Sequence, residues 1–139
     1  MSRSGYSDDA DQWDFIKYRG QVVSTIRGKK GQAFLRELLE ALDAMPEKRL
    51  ISNALREDGE VCAIGSVGVR RGIELEKLDP EDPRTIARIF GITQQLVCEI
   101  EYINDEEGPS YWGNETPEAR WQRVRKWVAE QIIEWDAPS

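Results

Sequence analysis

The chain has 139 residues, with 19 lysines and arginines against 26 aspartates and glutamates, a net charge of −7, and no histidine. Hydrophobic residues make up 40% and charged residues 32%, enough apolar material for one core and too much for wholesale disorder. Without histidine there is no Ser–His–Asp triad, no Cys–His dyad and no His-ligated metal, and two cysteines are too few for a four-cysteine zinc site or a disulfide scaffold.

Residues 1–9 are small and polar and read as a flexible N-terminal arm ahead of a single helical domain at 10–136. Trp13, Ile16, Tyr18, Val22, Val23 and Ile26 recur at three- and four-residue steps, which predicts a helix over 11–27. Asp8, Asp9 and Asp11 sit at its dipole-favoured start, and Gly20 allows a break in its middle. After the punctuation Gly28-Lys29-Lys30-Gly31, a stripe of Phe34, Leu35, Leu38, Leu39, Leu42 and Met45 predicts an amphipathic helix over 31–45, ended by Pro46. Within 46–60, Leu50, Ile51, Ala54 and Leu55 suit a short helical turn, and Asp58-Gly59 reads as a turn. The stretch 61–71 is ambiguous. Val61, Ile64, Val67 and Val69 suit a strand, whereas Cys62, Ala63, Gly65, Ser66 and Gly68 are the small residues of a tightly packed helix. Arg70-Arg71 before Gly72 has the chemistry of a helix C-terminus, so a short buried helix is favoured.

An acidic connector, 73–81, leads to Asp82-Pro83, an N-cap followed by proline at the first helical position. Ile86, Ile89 and Phe90 line that helix and Gly91 caps it; Thr93 then caps another carrying Leu96, Val97, Ile100 and Ile103. A long loop at 104–115 is of the kind that often carries function. Thr116-Pro117 opens the last helix, striped by Trp121, Val124, Val128, Ile132 and Trp135. The expected fold is all-α, one compact domain of five to six helices. No apolar run reaches the roughly 18–20 residues of a membrane span, and the acidic first twenty residues lack the pattern of a signal peptide.

Candidate chemistry is sparse. Asn104-Asp105-Glu106-Glu107 is the one carboxylate group suited to a metal or acid–base site, but it lacks the alternating ligand order of a calcium loop, and solvated charge is the favoured reading. Cys62 and Cys98 lie among apolar neighbours with no base to activate them and read as core. Gly59, Gly65, Gly68 and Gly72 fit neither phosphate-loop pattern and read as close packing. Basic residues gather at Arg27-Gly28-Lys29-Lys30, at Arg70-Arg71 and on the last helix, where Arg120, Arg123 and Lys126 share a face. That face, beside Trp112 or Trp121, has the makings of a stacking and phosphate-binding platform. The acidic chain opposes phosphate, so solvated surface is favoured and direct nucleic-acid binding is not expected. Trp13, Trp121 and Trp135 fall on core stripes, which leaves Trp112, beside Tyr111, and Trp127 as contact candidates. No catalytic residue, metal ligand or cofactor is assigned, and the chain reads more readily as a binder than as an enzyme. The binding candidates are Tyr111, Trp112, Asp105, Glu106, Trp127, Arg120 and Arg123.

Several segments together resemble a known group. They are Arg19-Gly20, Arg27-Gly-Lys-Lys-Gly-Gln-Ala-Phe-Leu-Arg36, Leu42-Asp-Ala-Met-Pro46, Gly59-Glu-Val-Cys-Ala-Ile-Gly65, Tyr102-Ile-Asn-Asp-Glu106 and Glu115-Thr-Pro-Glu-Ala-Arg-Trp121. Their order, over roughly residues 2–132, resembles small accessory proteins of tailed phages and prophages, to which no reaction is assigned; Glu-Val-Cys-Ala-Ile-Gly with the downstream Asn-Asp-Glu is the most specific part. The resemblance implies a protein acting in the cytoplasm of a host bacterium, without a membrane, by binding and inhibiting or redirecting a host protein or complex such as a CRISPR-type defence assembly. Two alternatives stay open: a small-ligand or nucleotide-sequestering protein or carboxylate-dependent enzyme, and a nucleic-acid-binding regulator.

Overall fold

The computed structural model describes residues 12–105 and 115–133. The arm expected at 1–9 lies outside the described residues, as do Glu106, Tyr111, Trp112 and Trp135. Helix α1 spans Gln12–Arg27 and continues through Gly20 without a break; α2 spans Lys29–Ala44. Only Gly28 separates them. Its N–H donates to Ser24 O at 3.0 Å and its carbonyl accepts from Gln32 N–H at 2.9 Å, so almost no backbone pairing is lost at the bend. The bend is this tight because Gly31 sits against the end of α1, where a Cβ would lie 1.8 Å from Thr25 O. Gln32, buried beside it, donates through Nε2 to Ile26 O (2.8 Å) and Gln131 O (2.9 Å) and accepts at Oε1 from Ile133 N–H (2.8 Å). One amide thus serves orphan carbonyls of two helix ends.

The helical turn expected in 46–60 does not form. The chain there runs extended into a hairpin of β1 (Arg56–Glu57) and β2 (Glu60–Val61), antiparallel, with Arg56 opposite Val61. Asp58 and Gly59 both adopt positive φ (53° and 81°), the conformation a two-residue hairpin loop requires. Ile51 N–H donates to Val61 O and Cys62 N–H to Leu55 O, so backbone groups that a helical turn would pair locally are paired across the segment instead.

Helix α3 (Ala63–Arg71) follows at once, as the small-residue pattern predicts. The Cys62 thiol is its N-cap, accepting from Gly65 N–H at 3.4 Å, and Gly72 closes it at φ 73°. A Cβ at Gly65 would meet Leu55 O at 2.0 Å, and one at Gly68 would meet Leu75 Cδ2 at 2.5 Å. Leu75 belongs to a short 3₁₀ turn, Leu75–Lys77, within the acidic connector. Helices α4 (Pro83–Phe90), α5 (Gln94–Asp105) and α6 (Pro117–Gln131) all begin at their predicted caps. Asp82 Oδ1, Thr93 Oγ1 and Thr116 Oγ1 accept from Thr85, Leu96 and Ala119 N–H at 3.0–3.2 Å. The protein is an all-α domain, with six α-helices and one two-stranded hairpin among the described residues.

All six helices share one core, with Leu35, Leu38, Leu42, Ile64, Leu96, Val124 and Val128 fully enclosed. Helix α2 packs on α1, α3 and α6, and α5 packs on α1, α3, α4 and α6. Phe34 meets Phe90 edge-on, centroids 6.2 Å apart. Cys62 and Cys98 are both buried and are not joined in a disulfide. Among the described residues no helix is long and apolar enough to cross a membrane.

Candidate functional site

Two segments distant in the sequence, the start of α3 and Asn104-Asp105 at the end of α5, meet at one place. Asn104, fully buried near the end of α5, accepts at Oδ1 from Ala63 N–H (3.0 Å) and donates through Nδ2 to Ile51 O and Asp105 Oδ1 (2.8 Å each). Asp105 Oδ1 also accepts from Asn53 N–H at 3.1 Å, holding Asn53 at φ 63°. The Asn-Asp pair therefore pins the 51–53 segment and the start of α3 to α5. Asp105 Oδ1 is thus engaged by one side-chain amide and one backbone N–H, the geometry of a fastening. No cluster able to hold a metal ion occurs among the described residues.

Arg120 and Arg123 join this junction from α6. Glu115, its side chain 7% exposed, takes both Arg123 Nε (2.6 Å) and Nη2 (2.9 Å), with Arg120 Nε 3.4 Å away. Arg123 also donates to Ile103 O (2.5 Å) and Asn104 O (3.3 Å), carbonyls of the last turn of α5, while Arg120 donates to Leu50 O at 3.1 Å. The Arg123 guanidinium holds the Glu115 carboxyl below the usual carboxylate range. The solvated basic face expected on α6 is thereby corrected. Its helical period is right, but two of its three cations turn inward because a carboxylate and α5 carbonyls wait there, and Lys126 alone of the three is exposed. Trp127 is half-buried against the core, and Trp121 donates Nε1–H to Leu42 O at 3.2 Å under the Lys48 ammonium. The structure thus brings together Asp105, Arg120 and Arg123, and leaves Trp127 apart from them.

A different surface has the form of a site. The last turn of α2, the hairpin and α3 enclose a groove of about 380 Å³. Ala41, Met45, Val61 and Val69 give it apolar walls, and Arg49, Arg56 and Arg70 stand along it with Glu47 and Glu60. Arg49 bridges Glu60 (3.0 Å) and Glu118 (3.3 Å), and Arg56 reaches Glu76 at 3.5 Å. Arg70 has no ionic partner among the described residues, because its neighbour Arg71 takes Glu37, donates to Phe90 O and covers the Phe34 and Phe90 rings. That pairing keeps the Glu37 carboxyl below its ordinary value. Sequence reasoning missed this groove. Helical period marks Val69 and Arg70 as outward, but the facing walls come from the chain around Met45 and from a hairpin whose pairing is not local.

Comparison with protein-family models, curated proteins and solved structures finds no match for the chain.

Proposed function

We propose that the chain is a non-enzymatic accessory protein of a phage or prophage that binds a host protein and inhibits or modulates it, docking through the groove between α2, the hairpin and α3. The host setting comes from the resemblance of its segments to phage accessory proteins. The docking surface rests on Val69, an aliphatic side chain left 50% exposed on a groove wall beside Arg70, which makes no ion pair among the described residues. The occupant this pairing fits is a segment of the host protein presenting an apolar side chain next to a carboxylate: the first removes Val69 and Met45 from water, and the second neutralises Arg70.

A photo-crosslinking residue placed at Val69 tests this in host cells, with one at Gln122 on the exposed face of α6 as reference. The expected result is a discrete adduct from Val69 alone, mapping to an acid-bearing apolar segment and abolished by Arg70→Glu. Equal capture from Gln122, or no adduct at Val69, would overturn the groove as the docking surface.

A further inference from the structure

A second pocket, of about 270 Å³, lies at the opposite end of α2, between the α1–α2 bend and the junction of α4 with α5. Thr25, Lys30 and Gly31 form one wall; Arg88, Gly91 and Thr93 stand on the other. Every polar side chain in it is a donor. Lys30 and Arg88 are exposed, and neither has a hydrogen-bond or ion-pair partner among the described residues. The carboxylate that Arg88 influences, Asp82, sits at the far end of α4 with both oxygens held by Thr85.

The two hydroxyls add a countable proton. Thr25 Oγ1 and Thr93 Oγ1 are 2.5 Å apart, and Thr93 Oγ1 also accepts from Leu96 N–H. Their mutual bond uses one hydroxyl hydrogen of two. Whichever threonine donates, the other hydrogen remains to be given elsewhere. The pocket therefore offers an ammonium, a guanidinium and one hydroxyl hydrogen, and no side-chain carboxylate. Arg27 and Lys29 flank it on the bend, likewise without partners among the described residues, so the end of the molecule is locally cationic in a chain of net charge −7. A ligand able to use such a donor set carries several acceptors and negative charge. A planar carboxylate would satisfy the guanidinium but leave the others short, whereas a tetrahedral phosphoryl group presents oxygens in three directions at once.

The geometry points to a phosphoryl-binding site formed by Lys30, Arg88 and the Thr25–Thr93 hydroxyl pair. It is independent of the groove and takes a different ligand class. Beneath the pocket Gly31 packs so closely on Thr25 O that no side chain fits between them.

Thermal melts and calorimetric titrations of the full chain, with inorganic phosphate replacing chloride at matched ionic strength, test it. The melting temperature is expected to rise with phosphate through binding to the folded state. Lys30→Ala and Arg88→Ala each weaken the titrated affinity by about tenfold or more, as loss of one charge-assisted contact does, and the double variant abolishes it. Both side chains are exposed, so the variants' unchanged circular dichroism and phosphate-free melts confirm that the fold is kept. Adenosine monophosphate forms a second arm: tighter binding than phosphate names a nucleotide as the source, and equal or weaker binding names free phosphate. No rise in the unmodified protein, or an equal rise in the double variant through general salt exclusion, would sink the site.

Discussion

On α6, Arg123 commits its guanidinium to Glu115 and to two carbonyls of α5, in a place where its side chain is 22% exposed. At the α1–α2 bend, Lys30 and, across a small pocket, Arg88 form no ion pair among the described residues. In one-dimensional terms the two groups look alike, cations spaced along helices of an acidic chain. What separates them is whether the fold delivers a carboxylate. Glu115 stands just before the N-cap of α6 and is carried to Arg123 by the first turn of the helix, while the bend and α4 bring only hydroxyls. Cations that the fold satisfies hold it together; cations that it leaves unsatisfied are available to a ligand.

The contrast predicts a descending series of stability effects. Arg123→Ala removes the two-point partner of Glu115, leaving it Arg120 alone, and unpairs two carbonyls; denaturant unfolding should show a loss of about 3 kcal/mol or more. A loss under 1 kcal/mol would erase the distinction between the two groups. Glu115→Gln keeps acceptors near Arg123 but removes the charge, and should cost about 1–3 kcal/mol at neutral pH. The same variant has a pH signature. Glu115 titrates lower in the folded protein than its usual 4.5, so its contribution is present above that value and is lost as pH falls through the lower folded one. The gap between the original protein and Glu115→Gln should therefore close on acidification, which melts at stepped pH would reveal. Arg125 pairs with Asp43 in the open, side chains 39% and 46% exposed, and Arg125→Ala should cost about 0–1 kcal/mol, less at high salt. At the bottom of the series, Lys30→Ala and Arg88→Ala should change stability by no more than about 0.5 kcal/mol.

Where the sequence was readable, the reason is local. Asp82-Pro83, Thr93 and Thr116-Pro117 bond backbone within three residues of themselves, and Gly72 and Gly91 supply a left-handed turn, so each helix boundary is written in adjacent residues. The 61–71 stretch mixed two signals because it holds two structures: Val61 ends a strand, and small residues from Ala63 onward build the helix that packs against Leu55 and Leu75. Within 46–60 the Asp58-Gly59 turn was readable, but the chain before it was not, since its conformation is set by Val61, Asn104 and Asp105, the last two about fifty positions away. Likewise Arg120 and Arg123 lie on the face that helical period gives them, but what that face meets is a tertiary fact. Asn104-Asp105 drew notice as carboxylate chemistry, and the structure uses the pair to tie the 51–53 segment and the start of α3 to α5.

Gln32 has a kinetic consequence. Its amide joins Ile26 to Gln131 and Ile133, the latter pair 99 and 101 positions from it in sequence. Closing so large a loop costs chain entropy before any bond repays it, whereas the α1–α2 and α4–α5 pairs need only short closures. The last helix therefore locks late, after the barrier to folding has been crossed. Gln32→Ala should quicken unfolding while leaving the refolding rate nearly unchanged, a ratio near zero that stopped-flow chevrons would read directly. By the same reasoning, a nascent chain carries an open seam along α2 until residues 117–133 have left the ribosome, and only then does the amide have its second helix end to close on.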